Sequence, residues 1–377
     1  MNLKLTKIAL ITNIYAPYRA PTWAAVAHNV GELHVILLSA NEENRLWNQE
    51  TESKLYKTHI LDSKGKFNVK YETGLYWGGG IRKLLKTIKP DFIVSAGYSL
   101  PPFIEAIFWA KYNKVPLVQW YESHNKSSRH TKWPLSSIRS LLLKQANGWS
   151  AASSLTEKYL MSMGIPQERI IVTPNSIDIA TIEKHVKIRQ TNSRTQKAKF
   201  LFVGRFVSLK RIDLLIRAFK KLETSSAELR LVGYGPDESK LRTLARNTQN
   251  IFFCDATVSL EETCKHYEWA DILVLPSLRE VWGLVINEAL AAGCYVLASS
   301  LAGATTDLIE KAPIDVGIPF DPNDGENALK LLFEKTIQDI QQIRDRRTQI
   351  SEWGNEFSPT RTANALLSAI ALAKKQL

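Results

Sequence analysis

Short apolar runs alternate with stretches of helical periodicity along most of the chain, and this rhythm restricts the fold more than any other feature. In the first half, residues 7–12, 34–38, 92–95, 117–120, 148–151 and 170–173 read as strands. In the second half, residues 200–203, 228–232, 251–253, 272–275, 295–298 and 318–319 repeat the pattern. Between them, segments such as 211–222 place Ile212, Leu215, Phe219 and Leu222 on one helical face. Strands alternating with helices predict βαβ units and parallel sheets, hence an α/β fold class.

At 377 residues the chain exceeds one ordinary domain and suits two, each with its own core. The polar stretch 188–197 has no periodicity and is expected to be the linker, giving domains at 1–187 and 188–360. Two doubly wound domains would then face one another, with a ligand at the carboxyl ends of their strands. The three cysteines, Cys254, Cys264 and Cys294, form no metal or disulfide pattern and suit buried thiols in a reducing cytoplasm. The apolar run 8–11 is cut short by Asn13, so it reads as a first strand and not an export segment. No run approaches the ~20 apolar residues of a membrane-spanning helix.

The net charge of +12 is uneven: residues 1–180 hold 22 Lys and Arg against 13 Asp and Glu, and the remainder 27 against 24. A basic N-terminal half expects an anionic surface or substrate. Without a helix-turn-helix or RNA-binding signature, nucleic acid is a poor candidate. An anionic membrane leaflet or a lipid-pyrophosphate acceptor suits the charge better.

Glu280 and Glu288 bracket the segment Glu280-Val-Trp-Gly-Leu-Val-Ile-Asn-Glu288. This layout predicts a buried strand, a short loop carrying Glu280, and a helix opening near Gly283 with Glu288 inside it. Helix-start amides form a ready anion site, and carboxylates accept from sugar hydroxyls. A ligand with hydroxyls at both ends and phosphates between them fits, and a nucleotide sugar has that form. Spacing alone equally suits two unrelated glutamates, the first merely complementing a helix dipole.

Further ordered segments favour the first reading: Phe200-Leu-Phe-Val-Gly-Arg-Phe206, Lys210-Arg211, Leu231-Val-Gly-Tyr-Gly-Pro236 and Ala298-Ser-Ser-Leu-Ala-Gly303. With the paired glutamates, they make the chain resemble glycosyltransferase family 4, retaining enzymes of the GT-B fold. The resemblance covers the C-terminal half well, and the N-terminal half loosely through Val172-Thr-Pro-Asn-Ser-Ile-Asp178. Trp282 stands where the family usually has Phe.

The resemblance implies that Glu280 holds hydroxyls of the transferred sugar and Glu288 the ribose, while amides near Gly283, Leu284 and Val285 receive the distal phosphate. It places Gly233, Tyr234 and Gly235 near base and ribose. It also implies that residues 361–377 return to the first domain. Arg205, after Gly204, and Lys210 would stabilise the leaving diphosphate. Fixed cations or a metal can do this. The chain has no Asp-x-Asp triplet, so cations are expected and neither metal nor other cofactor.

The N-terminal half departs from the family. The loop after the first strand, Asn13-Ile-Tyr15-Ala-Pro-Tyr-Arg19-Ala-Pro21, lacks the usual glycines. There Tyr15 and Arg19 are candidate ligand contacts, although Arg19 suits a phosphate and a neighbouring carboxylate equally. Where the family often has His, this chain has Glu122, a candidate sugar ligand or proton acceptor, with His124 its rival. Lys126, Arg129, His130, Lys132, Arg139 and Lys144, around Trp133 and residues 138–143, suit membrane contact; they suit equally a helix with leucines inward and charges outward.

The expected protein is a cytoplasmic glycosyltransferase, peripheral on the inner face of the membrane. It would take sugar from a nucleoside diphosphate to a glycan or lipid-linked acceptor in surface polysaccharide or lipopolysaccharide assembly. A nucleotide-sugar epimerase of the same fold and a non-catalytic sugar-nucleotide-binding partner are the alternatives.

Overall fold

The computed structural model describes residues 3–40, 53–68, 73–128, 135–187, 197–222 and 226–376. The chain forms two compact units: unit 1 is Met1–Ser176 with Pro359–Leu377, and unit 2 is Ile177–Ser358.

Unit 1 contains β1 (Lys7–Thr12), β2 (Glu32–Leu37), β3 (Lys57–Ile60), β4 (Asp62–Asn68), β5 (Thr73–Gly79), β6 (Phe92–Ser95), β7 (Leu117–Tyr121), β8 (Gly148–Ala151) and β9 (Ile170–Val172). Seven of them form a parallel sheet in the order β3-β2-β1-β6-β7-β8-β9, while β4 and β5 make a separate antiparallel hairpin. Its helices include α1 (Ala20–Ala27), α2 (Ile81–Ile88), α3 (Pro101–Tyr112), α4 (Leu135–Leu143) and α5 (Ser154–Ser162). One sheet face is covered from α2, α3 and α5, through Ile81, Leu85, Phe103, Ile107 and Leu160. The other is covered by α1 and by the C-terminal helix Pro359–Lys374, through Trp23, Val26, Leu366 and Ile370. The return of the last helix is therefore observed. Burying two alanines and three large aliphatics on one stripe, Ala363, Leu366, Leu367, Ile370 and Ala373, gives it a tertiary anchor.

Unit 2 contains β10 (Ala198–Val203), β11 (Ala227–Val232), β12 (Ile251–Cys254), β13 (Ile272–Leu275), β14 (Tyr295–Ser299) and β15 (Gly317–Phe320), ordered β12-β11-β10-β13-β14-β15 and all parallel. Its helices include α6 (Ile179–His185), α7 (Ile212–Lys220), α8 (Glu238–Leu244), α9 (Leu260–Trp269) and α10 (Leu284–Ala291). The strand order reverses between β10 and β13, and in such sheets ligands bind outside the strand ends at that reversal. The carboxyl end of β13 leads to Glu280, and that of β10 to Gly204, Arg205 and Lys210.

The domain boundary lies at 176, not 187, because Ile179, Ile182 and Val186 join the unit 2 core and α6 packs on α9 and α10. Of the expected linker, residues 188–196 lie outside the described residues. Cys264 and Cys294 are buried, and burial pushes each thiol up to about 12. Cys254 is half-buried. Among the described residues, no helix is long and apolar enough to cross a membrane.

Candidate functional site

In unit 2 the loops after β10 and β11 are sewn together by their backbones. Phe206 N–H donates to the Tyr234 carbonyl at 2.6 Å, and Asp237 N–H to the Phe206 carbonyl at 3.1 Å. Gly233 has φ +151, and a methyl group there would overlap the Gly204 carbonyl oxygen. Only glycine lets these two turns approach so closely. Gly235 meets the backbone of Phe206 in the same way. Gly204, Gly233, Tyr234 and Gly235 thus form one tight platform beside half-buried Arg205.

The loop after β13 is fixed from both sides. Leu278 N–H donates to the Leu209 carbonyl at 2.8 Å, joining it to the loop that carries Lys210. Glu280 forms an isolated parallel bridge with Ala302, and Ala304 N–H donates to the Trp282 carbonyl at 2.9 Å. Within this frame the Lys210 ammonium donates to Glu280 Oε2, with both side chains about four-fifths buried.

Gly283 starts α10 in a left-handed conformation, φ +105 and ψ +63. The side chain of Glu280 lies against it, since a Cβ at Gly283 would be 3.3 Å from Glu280 Cγ. The amides of Leu284 and Val285 occupy the first turn, where a helix cannot use them itself. The expected helix start near Gly283, with Glu280 before it and Glu288 inside, is therefore the observed geometry.

Glu288 lies further along α10 and accepts a 2.6 Å hydrogen bond at Oε2 from the hydroxyl of Tyr267 on α9. Burial raises the Glu288 pKa, and the Tyr267 bond partly offsets this. Burial first, and the neighbouring carboxylate second, push the Tyr267 phenol well above its usual range. Trp282, just before α10, is buried, and its indole N–H donates at 2.7 Å to Oδ1 of Asn287 on that helix. A buried indole needs such a partner, so Asn287 accommodates the tryptophan that replaces the family's phenylalanine.

In unit 1, Arg19 Nη2 donates to Glu122 Oε1 at 2.5 Å, and Asn175 Nδ2 to the same oxygen at 3.1 Å. The guanidinium carbon lies 4.8 Å from the Trp120 ring centroid and 5.7 Å from that of Tyr18. Burial opposes the charge of Arg19, but Glu122 and Tyr18 hold its pKa above the usual value. Of the two readings of Arg19, the carboxylate partner is the one observed. Oε1 of Glu122 is thus engaged by both Arg19 and Asn175.

His124 is fully buried; its backbone N–H donates to Ser127 Oγ, and its carbonyl accepts from the N–H groups of Ser127 and Ser128. The Tyr15 ring is packed edge-on against Trp23 at 5.6 Å, in the core beneath β1. Of the basic cluster, residues 129–134 lie outside the described residues. Arg139 is buried, donating to Ser128 Oγ at 2.5 Å and to the Tyr159 hydroxyl at 2.6 Å, so it is no surface cation.

Tyr267, Asn287 and Asn175 were not anticipated from the sequence. Asn175 lies inside a segment shared with the family, which is the one signal that pointed to it. Tyr267 has no such signal.

Two family models match the chain: "Glycosyltransferase Family 4" over residues 32–181 and "Glycosyl transferases group 1" over residues 183–354. The chain belongs to the family 4, group 1 glycosyltransferases. Among curated relatives, the sulfoquinovosyl transferase SQD2 of Arabidopsis thaliana is 27% identical over 273 residues, 69% of this chain and 51% of that protein. A D-inositol 3-phosphate glycosyltransferase of Geodermatophilus obscurus is 26% identical over 249 residues, 62% of this chain and 53% of that protein. The chain thus spans about half the length of these relatives. The solved structure of Anabaena HepE in complex with UDP and glucose superposes with TM-score 0.72 at 16% identity, covering 97% of this chain and 99% of that one. The lipopolysaccharide outer core galactosyltransferase WaaB gives TM-score 0.70 at 17% identity, with the same coverage. These neighbours establish the fold of this family 4 chain as GT-B.

Proposed function

We propose that this family 4 chain is a retaining glycosyltransferase that moves a sugar from a nucleoside diphosphate carrier to a hydroxyl of a glycan or lipid-linked acceptor. The observation that carries the reading is the Lys210–Glu280 ion pair set against the left-handed start of α10. One cation, one sugar-binding carboxylate and the helix-start amides are thereby held on adjoining loops. A diphosphate leaving group gathers negative charge as its bond to the anomeric carbon breaks. Lys210 and Arg205 offset that charge, and the Leu284 and Val285 amides receive the distal phosphate.

Glu280 accepts from hydroxyls of the transferred sugar, and Glu288, oriented by Tyr267, accepts from the ribose. The acceptor oxygen attacks the face the diphosphate leaves, and its proton passes to a departing phosphate oxygen. This step asks no protein base, which suits the closed Arg19–Glu122 pair. In a sequence without an Asp-x-Asp triplet, Arg205 and Lys210 are assigned the charge-stabilising role that a metal can also fill. Uridine is the first base to test, because HepE is a uridine diphosphate complex. Surface polysaccharide or lipopolysaccharide assembly, cytoplasmic and peripheral on an anionic membrane, suits the basic first half and the WaaB likeness.

The test is incubation of purified protein with uridine, guanosine and adenosine diphosphate sugars, in chelator, with a hydroxyl acceptor. The expected products are free diphosphate and an acceptor glycoside with the donor's anomeric configuration, read by proton NMR. An inverted product would remove retention, an epimerised donor would favour the epimerase, and nucleotide binding without turnover would favour a non-catalytic partner.

A further inference from the structure

The outward face of α2, α3 and α4 in unit 1 does not look like the surface of a helix meant only for water. A solvated helix face is ordinarily polar. Here Phe108 is 50% exposed and Tyr112 88%, one turn apart on α3. On α4, Ile138 is 51% exposed and Leu141 64%, again one turn apart. Lys111 Nζ of α3 donates at 2.6 Å to Oε1 of Gln145, two residues beyond the end of α4, which ties the turn after α4 to α3. On the other flank, α2 carries Arg82, Lys83 and Lys86 with no acidic residue, and Lys89 follows. Arg82 reaches Glu105 at 3.3 Å, which ties α2 to α3.

A concavity of about 590 Å³ opens between the basic and aromatic stripes, lined by Arg82, Lys86, Phe108, Trp109, Lys111 and Tyr112 among others. Its lining holds three cations, three aromatic rings and Asn113; Glu105, outside the lining, pairs with Arg82, while Lys86 and Lys111 have no carboxylate partner in it. Cations match a phosphate, and exposed aromatic and aliphatic side chains match the boundary between headgroups and acyl chains. The combination is what a basic interfacial surface requires.

We propose that unit 1 docks on an anionic phospholipid bilayer through this face, with a lipid phosphate seated in the Arg82–Lys86–Lys111 concavity and Phe108, Tyr112, Ile138 and Leu141 entering the interface. The proposal rests on the proposed function only in giving an acceptor a reason to be membrane-borne. The face itself is argued from residues outside the nucleotide-sugar site. It also differs from the sequence expectation around residues 126–144, because Arg139 turns inward and the cations come from α2 and α3.

The experiment is flotation of the full chain with phosphatidylcholine vesicles, with and without phosphatidylglycerol, at low and high salt. Binding is expected only with phosphatidylglycerol and is expected to weaken with salt. Lys86→Glu should weaken it at least fivefold, the order expected for one basic charge at an anionic surface. The pair Phe108→Ser with Tyr112→Ser should abolish it, with melting temperature unchanged as a fold control. Equal binding to neutral vesicles, no binding at low salt, or full binding by both variants overturns the proposal. So does a dimer in sedimentation that the Phe108 and Tyr112 changes dissociate while vesicles remain unbound. Diphosphate release with a soluble acceptor, measured on the same samples, separates this outcome from failure of the transferase reading: vesicle binding without release leaves docking intact and removes only the activity.

Discussion

Tyr267 and Glu288 sit on different helices, 21 residues apart, and the phenol donates to the carboxylate at 2.6 Å. Tyr267 is fully buried, so its hydroxyl cannot swing away and Glu288 Oε2 is held in one place. Under the proposed function, this bond fixes the carboxylate that receives the ribose.

Tyr267→Phe removes a hydrogen bond to an ionised group, a loss of ~1.5–3 kcal/mol. Nucleotide affinity should fall about tenfold or more, raising KM with kcat little changed. The variant also removes what offsets the burial-raised pKa of Glu288. The ionised form is needed to accept ribose hydroxyls, so affinity drops as pH falls through that pKa, and the drop should move to higher pH. Calorimetric titration with nucleoside diphosphate across pH checks both. An unchanged affinity and an unmoved acid limb would leave Tyr267 a packing residue.

Lys210→Ala should lower kcat by ~10²–10³, the usual cost of losing one preorganised electrostatic donor. Because Lys210 and Glu280 are bonded to each other, their effects should not add. The Lys210→Ala, Glu280→Gln double variant is expected to lose less than the sum of the two single losses. Steady-state diphosphate release across this cycle is the measurement, and strict additivity would mean that the pair does not act as a unit.

Gly233→Ala tests the platform behind the site. The new methyl would overlap the Gly204 carbonyl oxygen at a backbone angle that side chains avoid, φ +151. Strained backbone alone costs of order 1–3 kcal/mol, and the clash adds to it. Gly325→Ala is the comparison, since it has φ +85 but open space around the added carbon. Thermal melts should show a larger drop for Gly233→Ala, with nucleotide binding lost. Equal drops would mean that the loops after β10 and β11 can part without consequence.

The parts of the site legible in the sequence were those closed by local contacts. Strand β13, the Glu280 loop and the start of α10 follow one another within 20 residues, and the apolar run, the glycine and the second glutamate each mark a step. All twelve expected strands are present, with ends shifted by a residue or two. Strand β3 was missed because its sequence, Lys-Thr-His-Ile, is an edge strand with no apolar run, and edge strands are often kept charged. The β4–β5 hairpin was missed for a similar reason, being rich in lysine and glycine. Helix α6 carries apolar residues, but their spacing does not say which core receives Ile179 and Ile182, so the polar stretch marks a boundary eleven residues late. The Arg19–Glu122 bond spans 103 residues. No local pattern could choose between a phosphate and that carboxylate.

A pH prediction follows from the edge of the unit 1 sheet. His34 on β2 is buried and stacks on His59 of β3, with ring centroids 5.2 Å apart and Nδ1 of His34 2.9 Å from Nε2 of His59. His34 Nε2 lies 3.0 Å from Glu32 Oε2 and donates to it, so Nδ1 must accept and His59 must donate. Among the described residues, Lys57, 3.2 Å from Glu32, and Lys7, 3.7 Å away, are the other charges facing the pair. Burial lowers the pKa of both histidines below 6.5, and the neighbouring lysines add to this, while Glu32 partly opposes it for His34. The unfolded chain therefore binds protons that the folded chain refuses, and stability falls as pH drops from 6.5 toward the folded values. Hydrogen bonds from His34 and Lys57 hold the Glu32 carboxyl below its usual range, which adds a loss of the same sign at lower pH. Urea midpoints measured from pH 7.5 down to about 5.5, a window set by the ordinary histidine pKa, should decline for the wild type. His34→Gln with His59→Gln should flatten that decline, whatever it does to stability at pH 7.5. A wild-type midpoint that stays level or rises on acidification would show that the stacked pair accepts its proton without disturbing β3.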